Sequence, residues 1–180
     1  MIFIQTWFQQ GFLHPLLTPS HLILLISLGV IIGQQGIKLS YFIAISVSLA
    51  IGLFFKASLV IDVNIELILL GLALIISLLV VIKLRLPSLL TVLLIILGCF
   101  VVAYDSDPIV IPGVGENSIN NWLLGALTSM LGVLALISLI SLFLKRFWEG
   151  VILRIMGSWI ATSAIFILTL SLTTLTKGLS

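Results

Sequence analysis

Residues 11–21 read Gly-Phe-Leu-His-Pro-Leu-Leu-Thr-Pro-Ser-His and contain both histidines of the chain, His14 and His21. A long apolar run follows directly, so this stretch predicts the mouth of a first membrane helix. An ionisable residue at or within a membrane is expensive to keep and is by default a candidate functional residue. The two imidazoles are therefore the first candidate site residues of the sequence.

The composition of the whole chain is typical of an integral membrane protein. Of its 180 residues, 61% are hydrophobic and 8% are charged, and the mean hydropathy is +1.41. Soluble domains carry roughly a quarter charged residues, so these side chains are too few to cover a soluble surface. The net charge of +2 is too small to indicate nucleic acid as a partner. The partner that the composition predicts is the lipid bilayer.

Apolar segments along the chain predict six transmembrane helices. A spanning helix needs about 20 mostly apolar residues at a rise of 1.5 Å each. We therefore expect an all-α, polytopic membrane protein, with residues 1–180 forming one helical domain. The approximate spans are 19–33, 40–55, 63–82, 88–104, 121–144 and 151–173. Residues 1–13 contain no Lys or Arg, so we expect an uncleaved, interfacial start rather than a secretory signal.

The basic residues predict the orientation of the bundle, because Lys and Arg in loops favour the cytoplasmic side. With the N-terminus outside, only Lys56 and Lys177 fall on the outer side. The other basic residues fall inside or near the inner face: Lys38, Lys83, Arg85, Lys145, Arg146 and Arg154. We therefore expect both termini on the non-cytoplasmic side of a bacterial inner membrane or another energy-transducing membrane.

Small residues one helical turn apart recur in the predicted spans. Such spacing lets helix backbones approach closely in lipid. The pairs are Gly29 and Gly33, Ser48 and Gly52, Gly125 and Ser129, and Gly157 and Ala161. They predict either close packing within one bundle or a contact face between copies of the chain in a homo-oligomer.

The predicted orientation places three titratable side chains on the same side. His14 and His21 lie before and at the start of the first span, and Glu66 lies one turn inside the third. Two imidazoles and a carboxylate suit a borderline divalent transition metal such as nickel, cobalt, zinc or copper. The alternative is structural: an interfacial His14, a His21 that caps its helix, and a Glu66 stabilised by the helix dipole.

The rest of the sequence offers little chemistry. It contains no phosphate-binding glycine loop followed by Lys, no nucleophilic triad and no metalloprotease histidine pair, so we predict no enzyme. Cys99 has no second cysteine to pair with and is expected as a buried core thiol. The connection from Asp105 through Asp107 to Glu116 is either an electrostatic collector of cations or an ordinary solvated outer loop.

Three motifs resemble those of the HupE/UreJ family of small membrane proteins. The residues His14-Pro15-x-x-Thr18-x-Ser20-His21 resemble the family's first-helix signature, His-Pro-x-x-Gly-x-Asp-His. Glu66 is similar to the acidic position that opens the family's third helix. The residues 154–157, Arg-Ile-Met-Gly, are similar to the family's Arg-x-x-Gly ending. The family's later His-Gly-x-x-His-Gly motif has no counterpart in this chain.

The resemblance implies a nickel or cobalt permease, or a metal-handling accessory protein, with an outward-facing metal site at His14, His21 and Glu66. In this sequence Thr18 and Ser20 stand where the family has glycine and aspartate. A bundle interior that offers only Ser, Thr and Cys side chains favours an alternative. In that alternative the chain is a non-transporting structural subunit or assembly factor of a larger membrane complex and retains the family fold.

Overall fold

The structure is a computed structural model, and it describes residues 6–55, 64–106, 116–147 and 150–178. The described chain forms seven α-helices and no strands, which confirms the all-α prediction for these segments. The helices are α1 (Trp7–Leu17), α2 (Pro19–Gln35), α3 (Leu39–Phe55), α4 (Ile65–Ile82), α5 (Ser88–Asp105), α6 (Glu116–Leu144) and α7 (Val151–Gly178).

The described helices support a multi-pass membrane protein with four or five crossings. Four helical segments are long and apolar enough to span a bilayer: Ile65–Ile82, Ser88–Asp105, Asn117–Leu144 and Val151–Thr173. Helices α1 and α2 pass the same test only as a pair, and they are bent by 74° at the break between them. The apolar part of α3, Leu39–Leu53, is shorter. Six crossings and the sidedness of the termini stay predictions.

Helix α2 is the most enclosed element of the bundle. It packs against α1, α4, α5, α6 and α7, and side chains all around it, such as Leu24, Leu25, Leu28 and Ile31, are fully buried. Cys99 of α5 is also fully buried, as expected of a core thiol. In lipid, helices associate mainly through close packing and hydrogen bonds, since the lipid tails are as apolar as leucine. The contacts of α2 therefore organise the bundle.

The described basic residues meet at one end of the bundle, which we call the basic end. There the side chain of Gln34 donates to the Val80 carbonyl at 3.0 Å, and Nε of Arg154 donates to the Val81 carbonyl at 2.9 Å. The basic residues of this end are Lys38, Lys83, Arg85, Lys145, Arg146 and Arg154. This is the group that the sequence assigned to one side. Lys56, Asp107 and the side chains of Lys177 and Glu116 lie outside the described part.

The small-residue pairs face neighbouring helices of the same chain. A methyl group added at these glycines would meet α6 from Gly29 and Gly33, α5 from Gly52, α1 from Gly125 and α4 from Gly157. The prediction of close helix contacts is therefore confirmed. Packing within one chain accounts for the glycines of all four pairs, and a homo-oligomer stays a prediction.

Helix α1 crosses the first half of α6 with its backbone in close contact. A Cβ placed on Gly11 would lie 2.0 Å from the carbonyl oxygen of Trp122, and one placed on Gly125 would lie 2.2 Å from that of Phe8. Neither position has room for a methyl group, and the neighbouring atoms belong to the backbone. The two glycines thus fix how closely α1, which carries His14, approaches α6.

The crossing predicts that Gly125→Ala destabilises the protein, by about 1–3 kcal/mol of unfolding free energy, because the added methyl group overpacks the contact. The matched control is Gly132→Ala on the same helix, where a Cβ meets no atom within 4 Å. We expect the control to unfold like the wild type in thermal or detergent-denaturant melts. Equal melting of the two variants would contradict the described crossing.

Candidate functional site

A break at Thr18 separates the two histidines. Pro19 opens α2 and has no N–H to donate, so the chain cannot continue α1 as one regular helix. Both the N–H and the hydroxyl of Thr18 donate to the His14 carbonyl, at 3.1 and 2.9 Å, and so close the end of α1. His14 therefore lies in the last turn of α1 and His21 in the first turn of α2, on either side of the 74° bend.

The two imidazoles nevertheless lie side by side across the break. Their ring centroids are 5.4 Å apart, with the ring planes inclined by 58°. The His14 ring also meets the indole of Trp122 edge-on, with the centroids 5.2 Å apart. Trp122, at the close crossing of α1 and α6, is 3% exposed. The histidine pair thus lies among α1, α2 and α6, with His21 buried and His14 half-buried.

His21 is held by a carboxylate from a third part of the chain. Its side chain is fully buried, and Nε2 lies 2.7 Å from Oδ2 of Asp105, the last residue of α5. A carboxylate only accepts hydrogen bonds, so Nε2–H of His21 is the donor. The second ring nitrogen, Nδ1, is buried and has no hydrogen-bond partner among the described residues. A buried polar atom in that position requires an explanation.

Asp105 is a residue of the candidate site that the sequence analysis did not predict. We expected it in an outer loop, and that expectation was wrong for this residue, because α5 extends to Asp105 and only then ends. Ser106 follows, and its hydroxyl donates to the Val102 carbonyl at 2.8 Å. The predicted orientation already placed Asp105 on the same side as His21, which was the available signal. Residues 107–115 of the predicted loop lie outside the described chain.

Glu66 lies at the same end of the bundle but makes a different contact. It is exposed in the first turn of α4, and its Oε1 accepts a hydrogen bond from the Ser171 hydroxyl at 3.2 Å. Glu66 and Asp105 line one open cavity of about 460 Å³. Its other lining residues are Thr18, Pro19, Ser20, Asn64 and Ile65. We call this end, with His14, His21, Asp105 and Glu66, the histidine end.

The structure brings together two of the three predicted ligands. His14 and His21 are neighbours, and Glu66 lies at the cavity beside Asp105. Within the described residues, no group of three or more His, Cys, Asp and Glu side chains is close enough to hold a metal ion. The ligand set His14, His21 and Glu66 therefore stays a prediction, with Asp105 added as the partner of His21.

Comparisons of the chain with models of protein families, with curated proteins and with solved structures found no match.

The His21–Asp105 pair predicts a strong dependence between the two positions. Asp105→Ala leaves the buried Nε2–H without its acceptor, which costs about 1–3 kcal/mol of unfolding free energy. In a His21→Phe background, Asp105→Ala should cost close to nothing. In the wild-type background, Asp105→Asn should cost less than Asp105→Ala, because the side-chain carbonyl of asparagine still accepts a hydrogen bond. A double-mutant cycle on thermal unfolding measures the coupling. Asp105→Ala should lower the unfolding free energy more in the wild type than in the His21→Phe background. An equal loss in the two backgrounds would show that the pair does not contribute to stability.

Proposed function

We propose that the protein handles a divalent transition-metal ion, as a nickel or cobalt permease or as a metal-binding accessory protein of the membrane. The observation that carries this proposal is the hydrogen bonding of the two ring nitrogens of His21. One of its nitrogens is bound to a carboxylate, the other is buried without a hydrogen-bond partner among the described residues, and a second imidazole lies beside it. Histidines that bind metals commonly donate their other N–H to a carboxylate in this way.

The spacing of the two rings is compatible with one shared ion. A ring nitrogen about 2.1 Å from a metal ion puts the ring centroid about 3.2 Å from it, so two imidazoles on a tetrahedral ion have centroids about 5 Å apart. The observed centroid separation is 5.4 Å. In this proposal His14 and His21 bind the ion, and Asp105 is a positioning residue that fixes the tautomer and orientation of His21.

The acidic residues would attract cations to the cavity beside the histidine pair. Glu66 and Asp105 line the open cavity at the histidine end, and carboxylates at a cleft raise the local concentration of cations. Glu66 therefore acts at the mouth of the site, which differs from the direct ligand role that the family resemblance implies. Ser20 stands where the HupE/UreJ family has an aspartate, and Asp105 would supply the carboxylate that this position lacks.

The proposal includes six crossings with both termini outside. In this orientation the histidine end faces the non-cytoplasmic side, from which the ion would arrive. It is supported by the basic residues, which gather at the opposite end of the bundle. Counting α1 and α2 as one bent span leaves α3 as the sixth crossing. At 17 residues α3 is about 26 Å long, close to the thickness of a bilayer core.

The packing of α2 favours a second candidate function. Below His21 the next turns of α2 carry Leu24, Leu25 and Leu28, each fully buried against neighbouring helices. A hydrated divalent ion cannot pass such a region unless the helices rearrange. This observation favours a metal-binding or purely structural subunit, or an assembly factor of a larger membrane complex, over a permease.

The permease proposal predicts that cells expressing the protein accumulate nickel or cobalt, and that His14→Ala and His21→Ala abolish this accumulation. Glu66→Gln should reduce it less, because Glu66 lies at the mouth of the site. Asp105→Ala should weaken metal binding by about 10- to 100-fold, the usual effect of losing the partner of a metal-binding histidine. Accumulation is measured in cells, and binding is measured by titrating the purified protein in detergent.

The matched control is Asn121→Ala, an exposed polar residue next to Trp122. It should accumulate and bind metal like the wild type. Metal binding that depends on the histidines, without accumulation, would replace the permease with the accessory protein. Equal accumulation and equal binding in all variants would reject both metal proposals, and co-purification with partner subunits would then support the structural role.

A further inference from the structure

The basic end of the bundle contains a cavity that the metal proposal does not use. It has a volume of about 360 Å³, within the range of small-ligand pockets. Three cationic side chains line it, from Lys83, Arg85 and Lys145. None of the lining residues that the structure describes is acidic, and Glu149 lies outside the described residues. Three basic side chains of two helix ends thus line one cavity.

Two glutamines of α2 hold the connection that carries Lys83 and Arg85. The Gln35 side chain donates to the Leu84 carbonyl at 2.7 Å and accepts from the Leu86 N–H at 3.2 Å. Gln34 donates to the Val80 carbonyl in the last turn of α4 at 3.0 Å. These bonds tie the connection between α4 and α5 to the central helix, so the wall of the cavity is fixed in place.

Lys83 has a backbone conformation that favours glycine. Its φ is 57° and its ψ is 37°, and in the described chain no other residue except glycine has a positive φ. The N–H groups of Lys83 and Leu84 bond to the carbonyls of Val80 and Leu79, which closes α4 with a Schellman motif. Glycine is the usual residue at that position. Backbone strain of this kind is often retained for function.

We propose that this cavity binds a phosphate group, that of an anionic phospholipid. Lys83, Arg85 and Lys145 would neutralise the phosphate, and the strained backbone of Lys83 is retained because its ammonium group is needed there. Its side chain lies beside Gly150, another lining residue, with Cε about 4.0 Å from the place of a Gly150 Cβ. The apolar lining residues are Leu84, Leu86 and Leu153. An apolar wall beside the cations suits a lipid better than free phosphate.

Basic residues at helix ends also have a simpler role, because Lys and Arg stabilise the C-terminal carbonyls of helices. Helices α2, α4 and α6 all end at this cavity. That role does not require the three cations to share one cavity. It also does not explain a lysine in place of glycine at the end of α4, since glycine would satisfy the same backbone bonds. The two roles can be separated by substitution.

The test is a lipid titration of the purified full chain, read by native mass spectrometry, with phosphatidylglycerol, phosphatidylcholine and inorganic phosphate as separate ligands. We expect phosphatidylglycerol to bind more tightly than phosphatidylcholine. Arg85→Gln and Lys145→Gln should each weaken phosphatidylglycerol about fivefold, and the double variant about 25-fold. The matched control is Lys38→Gln, a basic residue of the same end that bonds to Ser88 and does not line the cavity.

Lys83→Gly separates lipid binding from the structural role. It should weaken phosphatidylglycerol about fivefold while the melting temperature, measured in phosphatidylcholine, stays at or above that of the wild type. The selectivity of the wild type for phosphatidylglycerol should also fall as salt is added, which tests the site without any variant.

Three results would overturn the proposal: equal binding of the two lipids by the wild type, an effect of Lys38→Gln as large as that of Arg85→Gln, or unchanged affinity in Lys83→Gly. Inorganic phosphate that binds more tightly than phosphatidylglycerol would retain the phosphate chemistry and overturn the lipid as its source.

Discussion

The hydrogen bond between the buried imidazole of His21 and the carboxylate of Asp105 is the interaction on which the histidine end depends. Helix α2 is enclosed by five other helices, so a polar ring in its first turn has no water to bond with. Leaving that ring unpaired would cost more than most single contacts contribute. The bond therefore links the last residue of α5 to the first turn of α2.

The two ends of the bundle differ in chemistry, and an apolar middle separates them. Imidazoles and carboxylates gather at one end, while lysines, arginines and glutamine amides gather at the other. Between them, fully buried leucine and isoleucine side chains of α2 fill the interior. The two proposed ligands, a metal cation and a phosphate, would therefore bind at separate ends of the bundle, with packed apolar side chains between them.

The sequence predicted the helical class, the gathering of the basic residues and the proximity of His14 to His21, because each follows from composition or local spacing. It did not predict that Asp105 bonds to His21, since that contact joins residues 84 positions apart and depends on how far α5 extends. A bend of 74° at Thr18 separates the two histidines. The rings still meet, because Trp122 and the glycine crossing place α1 against α6.

The glycine crossing between α1 and α6 also bears on how the protein is made. Helix α1 is synthesised before α6, the helix whose surface receives it. Until α6 enters the membrane, α1 has no helix to pack against and His14 has no contact with Trp122. Assembly of the histidine end is therefore a late event in biogenesis. A chain that stops before α6 would carry both imidazoles but lack the surface that encloses them.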